Sequence, residues 1–348
     1  MHKALIYGVT GQDGSYLSEL LLEKGYEVVG VARRVSTTNT QRISHLLEIK
    51  DFTLVEGDIT DSGSVNRTIS RESPDEIYNL AAQSHVATSF EQPKLTMDIN
   101  AGGVLNILEA LRAQTKKIRF YQASSSEMFG DNYTIKHSLS IRRGDLSKPE
   151  SKQFQNENTP FNPKSPYAVS KLAAHQLVKL YRESYDLHAS CGILFNHESP
   201  RRGDNFVTKK ITNYVRYLDN YLTMYICQSD VKLVSKDFKY LELGNLDASR
   251  DWGHAKDYVE AMWMMLQQNQ PGDYVVATGE THTVREFLDE AFKCIRITNW
   301  EPYVQINPKF YRPNEVPCLC GDPSKVMKEL GWQSNYNFNR LVQDMVND

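Results

Sequence analysis

The chain lacks the features that mark several protein classes. Its five cysteines, Cys191, Cys227, Cys294, Cys318 and Cys320, are odd in number and form no C-x-x-C pair. This argues against a disulfide framework and a zinc ribbon, fits reduced thiols in the cytoplasm, and gives no reason to expect a metal. No apolar run approaches the roughly 18 residues of a membrane helix, and the chain opens directly on a strand-like Ala4-Leu5-Ile6-Tyr7. Neither export nor a membrane span is expected. Charge of one sign is also missing: 40 Lys and Arg stand against 43 Asp and Glu, a formal net charge of -3. That leaves no basic footprint for nucleic acid, so an anionic ligand must be met by a local cluster of cations, and the partner is expected to be small. Internal repeats and low-complexity segments are absent as well.

What is present is enough apolar material for a large core, 40% of 348 residues, at a length that favours two intimately packed lobes. Short apolar runs alternate with amphipathic stretches. Strands are expected at Lys3 to Val9, Tyr26 to Ala32, Phe52 to Glu56, Glu76 to Ala81, Ile118 to Ala123 and Ala189 to Phe195, with helices at Ser15 to Glu23, near Leu95 to Arg112 and at Tyr167 to Tyr185. This is the pattern of an α/β protein with a Rossmann-type, doubly wound parallel sheet over residues 1–190. Residues 191–348 read as a smaller mixed α/β lobe that closes over the strand ends, with some segments returning to the first domain. Two stretches break the rhythm: a polar insert from Asp131 to Thr159 and a Tyr- and Asp-containing region from Tyr214 to Tyr240.

The first strand runs into Gly8-Val9-Thr10-Gly11-Gln12-Asp13-Gly14 and then a helix. Glycines at this spacing let the backbone turn sharply and approach a pyrophosphate, whose charge sits against the helix N-terminal amides. After the second strand, where a site for an unphosphorylated ribose would carry an acid, come Arg33 and Arg34, then Ser36. A guanidinium fork suits a 2′-phosphate, so NADP is expected over NAD; the alternatives are a solvated basic pair or a contact to a neighbouring subunit. Asp58, with Ile59 beside it, is placed to accept from the adenine amine, and Leu80, Ala81, Ala82, Gln83 and Ser84 to pass beside the riboses and pyrophosphate.

The chemical residues follow. Ser124-Ser125-Ser126-Glu127 ends the fifth strand, and Tyr167-Ala168-Val169-Ser170-Lys171 opens a helix. Tyr and Lys at i, i+4 share a helix face, so the ammonium can lower the phenol's pKa while the phenolate acts as base. Hydride transfer needs only the Tyr, Lys and hydroxyl set. Glu127 adds a second acid/base group, able to remove a proton next to a new ketone.

The segments GQDGSYL (11–17), ASSSEMFG (123–130), SPYAVSK (165–171), FNHESPRRG (195–203), FVTKKI (206–211) and RDWGHA (250–255) resemble those of GDP-mannose 4,6-dehydratases, within the extended short-chain dehydrogenase/reductase superfamily. The resemblance implies a tightly bound NADP recycled in each turnover, with Ser125, Glu127, Tyr167 and Lys171 catalytic and Ser84, Ser125, Ser126 and Glu127 lining the sugar. It implies further that Asn196, Lys210, Arg250, Arg312 and Glu315 contact the GDP moiety and that His197 and Arg202 lie at the cofactor. By the same analogy the loop from Arg33 to His45 reaches a neighbouring subunit in a homodimer or homotetramer. The inserts at 131–159 and 214–240 depart from the family pattern and leave the sugar open among GDP-mannose, a GDP-manno-heptose and another GDP-sugar. A 4-epimerase or 4-reductase would not use Glu127, and a noncatalytic NADP-binding regulator would not need the catalytic set.

Overall fold

The computed structural model describes residues 1–138, 150–226, 238–311 and 314–348. Its centre is a seven-stranded sheet built from β1 (Lys3–Tyr7), β2 (Glu27–Ala32), β3 (Phe52–Glu56), β4 (Glu76–Asn79), β5 (Arg119–Ser125), β6 (Ala189–Leu194) and β7 (Asp273–Val276). Every pairing in it is parallel, and the spatial order is β7-β6-β5-β4-β1-β2-β3. The chain winds from β1 out to β3, then crosses back to β4 and out to β7. The order therefore reverses between β1 and β4, and a crevice opens at their carboxyl ends, the usual ligand position in open α/β sheets.

Period-two alternation sends buried residues to both faces. Leu5, Tyr7, Val29, Val31, Ile77 and Phe120 meet α2 (Ser62–Glu72), α3 (Gly103–Arg112) and α4 (Pro166–Tyr185). Ala4, Ile6, Val28, Tyr78 and Tyr121 lie in the opposite core with α1 (Gln12–Glu23) and α6 (Ala255–Gln267). A separate core joins α5 (Val207–Ile226), α7 (Val284–Lys293) and α8 (Phe338–Asn347), where Ile211, Val215, Leu218, Phe287, Leu288, Phe292, Leu341 and Met345 are buried. The region from Tyr214, read from sequence as a break in the rhythm, is thus helical as far as Ile226. Its buried face is Ile211, Tyr214, Val215 and Leu218, a spacing of three and four that polar neighbours had obscured.

The 131–159 insert carries an antiparallel ribbon, Thr134–Ser138 with Glu150–Phe154. Its base is pinned. Gln155 is buried; its amide N–H donates to Cys320 O at 2.8 Å, and its side-chain amide to Gly130 O at 3.1 Å and Asn132 O at 2.9 Å. Among the described residues no helix is long and apolar enough to cross a membrane.

Candidate active site

The loop after β1 has to be glycine-rich for steric reasons. Gly8 has φ +84°, and a Cβ there would stand 2.7 Å from Ala81 N. One at Gly14 would stand 2.4 Å from the Gly8 carbonyl oxygen. Strand end, 80–84 loop and α1 therefore approach as bare backbone. Gly11 is the N-cap of α1 and offers no side-chain cap, so first-turn amides face the crevice without a side-chain partner from the cap position. This cradle fits a pyrophosphate.

The segment after β6 docks onto the same helix end. Ser199 Oγ donates to Gln12 Oε1 at 2.8 Å, Gln12 Nε2 donates to His197 O at 3.1 Å, and His197 Nε2 meets Asp13 Oδ2 at 2.7 Å. The half-buried Asp13 carboxyl is held below its ordinary range: desolvation opposes this, but the charge and hydrogen bond of His197 outweigh it. Burial also opposes protonation of His197, and Asp13 overcomes it, raising the imidazole's pKa. Arg202 pairs with buried Glu198 at 3.0 Å and lies 3.6 Å from the Phe206 ring centroid. Thr10 is half-buried in the same loop.

The other residues expected at the cofactor divide. Arg33, Arg34 and Ser36 are exposed beyond the end of β2. Asp58 accepts from Thr60 N at 2.9 Å, closing a local turn, while Ile59 is buried under Gly103, where a Cβ would lie 2.7 Å from Ile59 Cγ1. Ser84 is exposed, and Leu80 to Gln83 are half-buried over the cradle. Their anchor is a residue the sequence reading passed over. Asn100, 1% exposed, accepts from Gln83 N at 2.9 Å and donates to Gln83 O at 3.0 Å and Ser170 Oγ at 2.9 Å. Ser170 Oγ in turn donates to Tyr167 O at 2.7 Å. One amide thus ties the crevice loop to the first turns of α4. The available signal was a polar residue in the Asn100-Ala101-Gly102-Gly103 run, whose first three residues lie in a widened π-type turn, Asp98–Gly102.

β5 and α4 present the chemical groups. Ser125 ends the strand and accepts from Glu127 N at 3.3 Å, starting the short turn Ser126–Phe129, with Ser126 buried and Glu127 half-buried. Ser165 caps α4 by accepting from Ala168 N at 3.1 Å, and Pro166 starts its first turn. Tyr167 and Lys171 follow one turn apart, both buried. Burial pushes the Tyr167 phenol up to about 12; the hydrogen bond from Ser125 and the charge of Arg202 lower it, and the charges of Glu127 and Asp13 add to the rise. Burial pushes Lys171 down to about 8. Its ammonium donates to Ala123 O at 2.8 Å and stands 5.9 Å from the Tyr167 ring centroid. The two side chains share a helix face, and the ammonium's hydrogen bond goes to a strand carbonyl.

In the second lobe, Asn196 lies on a short strand, Asn196–Glu198, paired with Trp252–His254. Arg250, 6% exposed, meets Glu315 at 2.6 Å, so two residues expected at GDP form one ion pair. Lys210 on α5 lies 4.6 Å from the Phe310 ring centroid. Arg312 falls outside the described residues. Asp251, beside Arg250, was not anticipated. It accepts from Thr278 N at 2.8 Å, Gly279 N at 2.9 Å and Gly321 N at 3.2 Å, holding the segments around Arg250 together.

A profile of the family described as GDP-mannose 4,6 dehydratase matches residues 5–345. The chain belongs to this family. GDP-mannose 4,6 dehydratase 1 of Arabidopsis thaliana is 49% identical over 99% of this chain and 89% of its own length. The Drosophila melanogaster GDP-mannose 4,6 dehydratase is 48% identical over 99% and 85%, and the Vibrio cholerae serotype O1 GDP-mannose 4,6-dehydratase 45% over 99% and 92%. Among solved structures, the Thermus thermophilus UDP-glucose 4-epimerase in complex with NAD superposes with a TM-score of 0.78 at 24% identity, covering 99% of this chain and 98% of that one. Pseudomonas aeruginosa RMD complexed with NADPH gives 0.73 at 21%, covering 100% and 98%. These two show that the 4,6-dehydratase family member described here shares their fold.

Proposed function

We propose that the protein converts GDP-mannose to a GDP-4-keto-6-deoxy sugar and water, using bound NADP. The observation that carries this reading is the convergence of Ser125, Glu127, Tyr167 and Lys171 beside the glycine cradle, in a chain of the 4,6-dehydratase family. A dinucleotide held in this cradle would supply the hydride chemistry, taking a hydride from C4 of the sugar and giving it back at C6. Tyr167, hydrogen-bonded by Ser125, takes the C4 hydroxyl proton. The resulting ketone makes the C5 proton acidic; Glu127 removes it and delivers a proton to the C6 hydroxyl, which leaves as water. C5 then regains one proton, matching the one taken by Tyr167, so the protein ends each turnover unchanged. Lys171 holds a cofactor ribose hydroxyl once its bond to the Ala123 carbonyl is shared or exchanged.

Gly8, Thr10, Gly11, Gln12, Asp13 and Gly14 cradle the pyrophosphate. Arg33, Arg34 and Ser36 meet the 2′-phosphate, their exposure leaving the guanidinium groups available. Asn196, Lys210, Arg250, Arg312 and Glu315 receive the GDP moiety. The protein works as a homodimer or homotetramer, a reading supported by exposed Leu105 on α3 and Val169 and Leu180 on α4. It acts in the cytoplasm, as its free cysteines suit.

The test is direct. Purified protein is incubated with GDP-mannose or GDP-manno-heptose without added reductant, and loss of water is followed by mass spectrometry. Turnover of the heptose alone would reassign the sugar; tight NADP binding without turnover of either would point to a regulator. Changing Arg33 to Ala should weaken NADP and leave NAD unaffected, whereas equal losses would refute 2′-phosphate recognition.

A further inference from the structure

On the sheet face below α4, away from the crevice, three potential ligand side chains converge that the dehydratase reaction does not use. His175 comes from α4, Cys191 from β6 and Asp273 from β7; their nitrogen, sulfur and oxygen atoms all lie within 4.8 Å of one another. Cys191 and Asp273 are partners in the parallel register, so they point to the same face. Cys191 is fully buried and is a free thiol, and His175 is 3% exposed. A cavity of about 250 Å³ reaches His175 and Asp273 and is lined also by Phe161, Arg182, Ile193 and Lys325; Cys191 lies behind its wall.

The three side chains already touch through shared partners: the Cys191 thiol is hydrogen-bonded to Asp273 and to Ser124. His175 Nδ1 is engaged by Ser124 Oγ at 3.0 Å, and the Phe161 ring packs edge-on against the imidazole at 5.4 Å between centroids. Nε2 is left facing Asp273 Oδ2 at 3.9 Å, too far for a hydrogen bond. Meanwhile Arg182 binds the other oxygen of Asp273, and the Lys325 ammonium donates to the Asp273 main-chain carbonyl at 2.7 Å. Both ligand side chains thus have the outer hydrogen-bond partners that orient metal ligands: Ser124 for His175 and Arg182 for Asp273.

We propose that His175, Cys191 and Asp273 form a binding site for a thiophilic divalent cation of the zinc class, with water from the cavity as fourth ligand. One imidazole nitrogen, one thiolate and one carboxylate oxygen suit Zn²⁺, which takes four such ligands tetrahedrally at about 2.0–2.3 Å. At those bond lengths the ligand atoms stand roughly 3.5 Å apart. The trio must therefore close by about an ångström, within reach of small χ rotations at Cys191 and Asp273. Binding replaces the thiol proton, releasing one H⁺ per metal ion. The site braces the catalytic scaffold from behind: Ser124 immediately precedes Ser125, and His175 lies one helical turn beyond Lys171.

The test uses the full chain, dialysed against a chelator and titrated with Co²⁺ and then Zn²⁺. One equivalent of Co²⁺ should produce a sulfur-to-cobalt charge-transfer band that Zn²⁺ abolishes. Cys191→Ser should lose the band, and Ser124→Ala, which keeps all three ligands, should bind at least tenfold more weakly. Absence of a thiolate band in the wild-type chain would overturn the proposal without reference to any variant. A band that persists in Cys191→Ser, or an unchanged affinity in Ser124→Ala, would overturn it as well.

Discussion

Asn100→Asp changes one side-chain NH₂ to oxygen at almost constant volume and tests the clamp between the crevice loop and α4. Asn100 Oδ1 accepts from Gln83 N, and that bond survives. The two donor bonds, to Gln83 O at 3.0 Å and Ser170 Oγ at 2.9 Å, cannot be made by a carboxylate. Nor can Ser170 turn its hydroxyl toward the new oxygen without giving up Tyr167 O at 2.7 Å. Two partners in a buried setting lose their donor at about 1–3 kcal/mol each, so the variant should be about 2–6 kcal/mol less stable at neutral pH. The sign of its pH dependence is also fixed. Burial and the facing Gln83 carbonyl raise the new carboxyl's folded-state pKa above the unfolded value of about 3.9. Its contribution is then most favourable below that value, where the protonated acid can donate once, and is lost as pH rises through the folded-state pKa. Urea denaturation of both proteins at pH 5 and pH 8 measures this, with the deficit larger at pH 8 and dinucleotide affinity weakened because the 80–84 loop is released. Equal stability at pH 8 would refute the clamp.

Glu127→Gln should keep dinucleotide binding while the elimination rate falls about 10²–10⁴-fold, followed by mass spectrometry; unimpaired formation of the 4-keto-6-deoxy product would remove Glu127 from the chemistry. Lys171 is depressed from 10.5 to about 8 by burial, so the folded state binds fewer protons than the unfolded chain between those values. The wild type should therefore gain about 3 kcal/mol relative to Lys171→Met as pH rises from 7 to 10.5, and lose it again as pH falls through 8; denaturation midpoints that track each other across the range would contradict this. Gly14→Ala puts a methyl 2.4 Å from the Gly8 carbonyl oxygen, where only backbone can yield. A stability loss of about 1–3 kcal/mol, together with lost NADP binding by calorimetry, is expected, and an intact cradle in that variant would not survive the geometry.

Much of the fold and part of the site follow from local sequence. Strand and helix periodicities are set by neighbours a few residues apart, so the alternating pattern through β6 and the helix bearing Tyr167 and Lys171 could be read directly. The glycines of the β1 loop are equally local, because a sharp turn beside a helix start demands them. Glu127 is legible as the residue after Ser125 and Ser126 at a strand end. The family likewise follows from sequence, since the profile match and the relatives rest on linear motifs.

Tertiary structure decided the rest, because strand order brings together residues that sequence keeps far apart. Only with β5 beside α4 does Ala123 capture the Lys171 ammonium, and only there does burial push Tyr167 up to about 12. Only with the segment between β4 and β5 packed against α4 does Asn100 reach both Gln83 and Ser170. Arg250 and Glu315 read separately as contacts to one ligand; folding joins them at 2.6 Å. The grouping of His175, Cys191 and Asp273 spans three elements and 98 positions of sequence, and has no spacing motif to betray it. Local periodicity specifies which elements form. The energies that set pKa values, orient side chains and close sites fall off within a few ångströms, so they are fixed only when the sheet is assembled.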